Sequence, residues 1–248
     1  MKVASDILAI IANAETDGNS LRLVSQIDRK QYTAVAKVIE LAGGKWSRKA
    51  KAHLFDEDAS AAIEPLLLTG EISNAKQDFG QFDTPAPLAR TVVDLAHIKP
   101  GLRVLEPSAG IGNLVEPIEA DGGLVEAFEI DTKRYYAARE RCDFAGGLRL
   151  SNFLSSKPAP VFDRVVMNPP FAGQADVRHV MHAAKFLRPD GRLVAIMSSN
   201  IIFRENKVSR EFREFISDRG GEIRPLPSGS FAVSGTNVNT AIVTMEAR

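Results

Sequence analysis

Residues 102–131 read LRVLEPSAGIGNLVEPIEADGGLVEAFEID, and this stretch decides the fold. One apolar run, LRVLEP, enters a loop that carries two glycines, and a second, LVEAFEI, ends in an acid. Short apolar runs bounded by turn signals read as buried strands. Downstream the rhythm repeats, with GLRL (147–150), FDRVVMN (162–168), GRLVAIM (191–197) and TAIVTME (240–246) as further strands. Helical stretches separate them: TPAPLARTVVDLAHI (84–98), DTKRYYAARERCDF (131–144), DVRHVMHAAKFL (176–187) and NKVSREFREFISDRG (206–220). Alternation of this kind predicts a mostly parallel sheet with helices on both faces, a Rossmann-like α/β fold.

Upstream, residues 1–77 read as a separate small α/β module and 78–248 as the main domain. In the module an amphipathic stretch, 5–14, leads to a strand in SLRLVSQI (20–27), and Asp28 and Gln31 have the spacing of a capping box before a helix. A second strand, AKAHLF (50–55), and a second helix, ASAAIEPLLL (59–68), complete it. The basic side chains Lys45, Arg48, Lys49 and Lys51 surround Trp46, the only tryptophan. They read equally as a solvated turn and as a nucleic-acid contact.

Composition excludes several classes. The 248 residues are 44% hydrophobic and 25% charged, as in globular chains. With 31 basic and 31 acidic side chains, any polyanion must be met by a local patch. The single cysteine, Cys142, rules out an internal disulfide and the cysteine-rich zinc sites; it reads as packing. No apolar run approaches the roughly 18 residues of a membrane span, and the first residues lack a signal-peptide pattern, so a cytoplasmic protein is expected. Only Ala247 and Arg248 follow the last strand, and no further domain is expected there. Asp176, His179 and His182 recur every third residue on one helix, a spacing that suits a solvated face better than a metal site.

Ligands of open parallel sheets bind at the carboxyl ends of the strands. The first such loop is Glu106-Pro107-Ser108-Ala109-Gly110-Ile111-Gly112, whose glycines permit a tight turn and close approach of a ligand. Val115 stands where a dinucleotide fingerprint has its third glycine, and no GK[ST] follows, so a pyrophosphate is not expected. After the second strand, Glu129-Ile130-Asp131 places an acid at ribose distance, with Asp131 the better helix cap. After the third, Asn152 and Phe153 offer a polar edge and an aromatic face for a purine. The loop after the fourth, Asn168-Pro169-Pro170-Phe171, is the most informative. Its prolines hold Asn168 and Pro169 extended, with two oxygens able to accept from one amino group. Phe171 adds a stacking face.

FDTPAPLA, LEPSAGIGN, FEID, SNFL and NPPF, in that order, resemble the class I S-adenosylmethionine-dependent methyltransferases that act on adenine amines in DNA, over about residues 79–248. The overall arrangement also resembles small orphan enzymes of plasmids and phages. The resemblance implies an antiparallel last strand and S-adenosyl-L-methionine as cofactor. It assigns the methionine carboxylate to Thr84 and Pro85, the methionine portion to the glycine loop, the ribose to Glu129, and the adenine to Asn152 and Phe153. Many relatives have Asp where this chain has Asn152. It also offers Phe231, in LPSGSFAVSGTNVN (226–239), as a second aromatic face for the target base, opposite Phe171. DNA is the expected partner, with RNA adenine or a protein glutamine amide as alternative substrates and a non-catalytic nucleic-acid-binding regulator as the rival from another class. No metal is expected, and the oligomeric state is open.

Overall fold

The computed structural model describes residues 2–56, 58–71, 82–234 and 238–247. The expected boundary between residues 77 and 78 lies outside them. The amino-terminal module runs α1 (Ser5–Ala12), β1 (Glu15–Asp17), β2 (Ser20–Arg22), α2 (Arg29–Leu41), β3 (Lys45–Ser47), β4 (Ala52–Leu54) and α3 (Ala59–Thr69). Its strands form an antiparallel sheet ordered β1-β2-β4-β3. The capping box is present: Asp28 Oδ1 accepts from the Gln31 amide, and Gln31 Oε1 accepts from the Asp28 amide. Leu8, Ile11, Leu21, Val35, Ile39, Phe55 and Leu67 bury their side chains between sheet and helices. Two short strands, β1 and β3, were not expected, because three largely exposed residues are too few to carry an alternating pattern. The strand expected over 20–27 is only three residues long.

The larger part contains α4 (Ala86–Ala96), β5 (Arg103–Glu106), α5 (Val115–Ala120), β6 (Leu124–Glu129), α6 (Thr132–Arg141), β7 (Gly147–Leu150), β8 (Phe162–Met167), α7 (Ala175–Ala183), β9 (Leu187–Ser198), α8 (Asn200–Phe203), α9 (Lys207–Ser217), β10 (Glu222–Pro225) and β11 (Thr240–Glu246). The seven strands are ordered β10-β11-β9-β8-β5-β6-β7. The five from β5 to β9 are parallel, and β11 runs antiparallel between β9 and β10. The extra strand, β10, is a short polar edge ending in Pro225, a composition that suits an edge and hides it from a pattern search.

Alternation along the strands divides the core. Val104, Val166, Val194 and Ile196 face one layer with Val92 and Val93 of α4, while Leu105, Val165, Met167 and Ala195 face the other with Val180 of α7 and Phe212 of α9. The module is attached to this body. Leu68 joins the first layer, and the Asn239 amide donates to the Leu68 carbonyl at 2.7 Å. Asn13 Oδ1 accepts from the Glu205 amide at 2.6 Å. From β5 the chain moves outward to β6 and β7 on one side, then returns to β8 and β9 on the other, so a crevice opens at the carboxyl ends of β5 and β8. Among the described residues no helix is long and apolar enough to cross a membrane.

Candidate active site

The crevice holds a cleft of about 240 Å³ whose wall includes the loops after β5, β6, β7 and β8. Of the residues picked from the sequence, Thr84, Glu106, Pro107, Ser108, Ala109, Gly110, Glu129, Ile130, Asn152, Phe153, Asn168 and Pro170 line it. Pro85 instead caps α4, and Gly112, the last residue of the loop, packs on Cys142 away from the wall. Pro169 and Phe171 are outside the wall.

The glycine loop is held from below. Glu129, buried at the end of β6, accepts from the amides of Gly110 at 2.7 Å, Ile130 at 2.9 Å and Asp131 at 2.8 Å. A carboxylate has about four acceptor positions, so three serve the backbone and one remains for a ligand hydroxyl. Asp131 takes the other role expected of it, accepting from the Arg134 amide at the start of α6. Gly112 has φ +94°, and a Cβ there would sit 2.6 Å from Cys142 Sγ. Cys142 thus packs directly under the loop although it is distant in sequence.

Glu106 is fully buried at the end of β5. Its Oε1 accepts from the Ser108 amide at 2.8 Å, while Oε2 has no partner. Burial, helped by the nearby Glu129, pushes its carboxyl up to about 8 despite the Ser108 amide. The protein alone therefore keeps a neutral acid here at pH 7, and a ligand cation would restore its charge.

Asn168 follows β8. Its Nδ2 donates to the Phe82 carbonyl at 2.9 Å and to Thr84 Oγ1 at 3.0 Å. A carbonyl can only accept, so the amide cannot be turned over. Oδ1 is left buried and without a partner. Thr84 is pinned too, its carbonyl accepting from Asn113 Nδ2 at 2.9 Å.

The aromatic residues differ from expectation. Phe171 and Phe231 are 2% and 0% exposed and belong to the core. Phe82 packs on both, with ring centroids 6.1 and 6.5 Å away, and Phe82 itself lines the cleft. The slot expected between Phe171 and Phe231 is not formed in this conformation, because the apolar rings bury against one another. Residues 235–237 of the Phe231 loop lie outside the description.

At the other end Asn152 Oδ1 accepts from the Leu154 amide, capping a short turn, and the Phe153 ring packs among Phe128, His179, His182 and Phe186. The helix carrying Asp176 and His179 corrects an expectation: those two residues face inward, not solvent. Asp176 accepts from the Ser198 and Val177 amides, and burial pushes it up to about 7. His179 lines the cleft with Nδ1 on the Ala175 carbonyl, and burial lowers its pKa, against the Ala175 bond.

Sequence reasoning missed Phe82, Asp83, Asn113, Arg134, Arg178 and His179 as cleft residues. Asp83 stood beside the chosen Thr84, but nothing local announces that Arg134 folds back over Gly110.

No protein-family profile matches the chain. It is 26% identical over 230 residues to the type I restriction enzyme StySPI methylase subunit of Salmonella potsdam, covering 72% of this chain and 42% of that protein. The chain therefore spans less than half of that relative's length. The methyltransferase subunit of a type I restriction-modification system from Streptococcus thermophilus superposes with TM-score 0.61 at 19% identity, covering 90% of this chain and 55% of that one. A class I S-adenosylmethionine-dependent methyltransferase structure from Listeria monocytogenes gives 0.54 at 16% identity, covering 91% and 76%. With the strand order and the antiparallel seventh strand, these likenesses identify the fold as that of the class I S-adenosylmethionine-dependent methyltransferases.

Proposed function

We propose that this chain transfers a methyl group from S-adenosyl-L-methionine to the exocyclic amine of adenine in DNA. The observation that carries the reading is the Asn168 amide, its nitrogen committed to Phe82 and Thr84 and its buried oxygen unpartnered. That oxygen suits the amine of a base brought out of its stack. By accepting from the amine it would draw the hydrogens aside and localise the nitrogen lone pair.

The cleft's donor set fits the cofactor. The partnerless Oε2 of Glu106 suits the methionine ammonium, the open position on Glu129 a ribose hydroxyl, and Ile130, Asn152 and Phe153 the adenine. When bound, the cofactor supplies an electrophilic methyl group on a sulfonium. Asn168 would hold the amine nitrogen facing that methyl group, and the proton the amine gives up on methylation would pass to solvent. The residues contribute positioning and lone-pair localisation, and no covalent enzyme intermediate is required. The likeness to type I restriction enzyme methylase subunits supports DNA as the substrate.

The test is incubation with methyl-labelled S-adenosylmethionine and DNA, RNA or cell protein, followed by digestion and chromatography. Label in N6-methyladenine of DNA supports the reading. Label in RNA or in protein glutamine moves the activity to that substrate, and cofactor binding without transfer to any fraction points to a regulator.

A further inference from the structure

Residues 82–84 run along the wall of the cleft as a strap. Asn168 Nδ2 holds it at the Phe82 carbonyl and at Thr84 Oγ1, at 2.9 and 3.0 Å. Asp83, between them, is held separately. Its carboxylate accepts from Arg134 Nη2 at 2.5 Å, and its carbonyl accepts from Ser234 Oγ at 2.7 Å.

Arg134 reaches the strap by lying over the glycine loop. A Cβ on Gly110 would stand 2.7 Å from Arg134 Nη2, so a residue larger than glycine would displace the guanidinium. The main-chain amide of Arg134 donates to Asp131 Oδ1, and Nε is buried without a partner. An exposed ion pair of these residue types would ordinarily have little consequence. This one lines the cleft, and its acidic partner sits between the two acceptors that orient the Asn168 amide.

We propose that the Arg134–Asp83 pair is a clamp that sets the Asn168 amide from the cofactor side of the cleft, making Arg134 a positioning residue for methyl transfer. The inference rests on the function proposed above. Loss of the clamp frees Asp83, shifts the Phe82 carbonyl and Thr84 hydroxyl, and lets the Asn168 oxygen leave the orientation in which it accepts from the target amine.

The test uses the full chain with Arg134→Ala, Arg134→Lys, Asp83→Asn and the double variant Arg134→Ala/Asp83→Asn. At saturating cofactor, Arg134→Ala and Asp83→Asn should each lower kcat about 10- to 100-fold, as small misplacements of reacting groups do. KM for the target and the Kd of the cofactor should stay within about threefold, since positioning acts on the chemical step. The double variant should lose no more than the worse single, because both break one contact. Arg134→Lys should recover part of the loss. In cofactor-free protein, hydrogen exchange across 82–84 should quicken in both singles.

A multiplicative loss in the double variant, unchanged kcat, or unchanged exchange would overturn the clamp. So would an Arg134→Ala protein that loses affinity for S-adenosylmethionine but not for methylthioadenosine, with normal turnover per bound complex; Arg134 would then be a carboxylate ligand. A wild-type chain that methylates nothing would refute the functional reading, and exchange in the cofactor-free variants would still decide the clamp.

Discussion

Asn168 Oδ1 and Glu106 Oε2 are buried polar atoms without partners on two residues that line the same cleft, and a folded protein rarely leaves such atoms unsatisfied without a use for them. Asn168→Ala should cut turnover by roughly a hundredfold or more, the usual cost of one preorganised polar group, while calorimetry finds cofactor affinity nearly unchanged. Collapse of cofactor binding with normal turnover per bound complex would contradict the assignment. Glu106 gives a pH-dependent expectation. Its carboxyl is raised from 4.5 to about 8, so the folded protein without cofactor keeps a proton that the unfolded chain releases. Its contribution is fully present below about pH 4.5 and declines as pH rises towards about 8. Binding an ammonium beside it should expel that proton, so cofactor affinity should rise by up to about tenfold per unit from pH 6 towards 7.5. Glu106→Gln should flatten both dependences, read by thermal unfolding and by calorimetry in buffers of different ionisation heat.

Among the elements, the glycine loop shows how local geometry and a distant helix end constrain one residue. Gly112 has φ +94° and no room for a Cβ above Cys142. Gly112→Ala should destabilise the protein by about 1–3 kcal/mol through backbone strain and overpacking. Adding Cys142→Ala should restore only part of this, because it removes the contact and leaves the strain. If urea unfolding shows the double variant no more stable than the single, the Cys142 contact carries none of the cost. The helix α2 offers a simpler case: its capping box was legible from Asp28 and Gln31, since both bonds are local, and Asp28→Ala should cost about 1 kcal/mol.

For the whole molecule, the proposed DNA substrate would have to be met by a local basic patch, since 31 basic and 31 acidic side chains balance. Lys45, Arg48, Lys49 and Lys51 are all exposed around β3, and Trp46 is 50% exposed with its ring edge against His53. Solvation of the basic cluster is equally a consequence of its being a surface hairpin, so binding must be measured. Arg48→Ala/Lys49→Ala should flatten the slope of log affinity against log salt by about 1.8 on duplex DNA if both residues meet phosphates. An unchanged slope would move the contact surface to the catalytic body.

The order of strands and loops was written locally, because strand alternation, helical spacing and proline or glycine at loop positions act within a few residues. LRVLEP, LVEAFEI, FDRVVMN and TAIVTME became β5, β6, β8 and β11, and the loops after β5, β6, β7 and β8 became the cleft. The edge strands β1, β3 and β10 were illegible, since three or four mostly exposed residues become strand only when a neighbour supplies hydrogen bonds. Tertiary structure alone decided which face α7 turns inward, burying Asp176 and His179, and that Phe171 and Phe231 pack on Phe82. It also brought Arg134 across Gly110 to Asp83, 51 positions away in sequence, because only the assembled sheet puts the start of α6 beside the strap that holds Asn168.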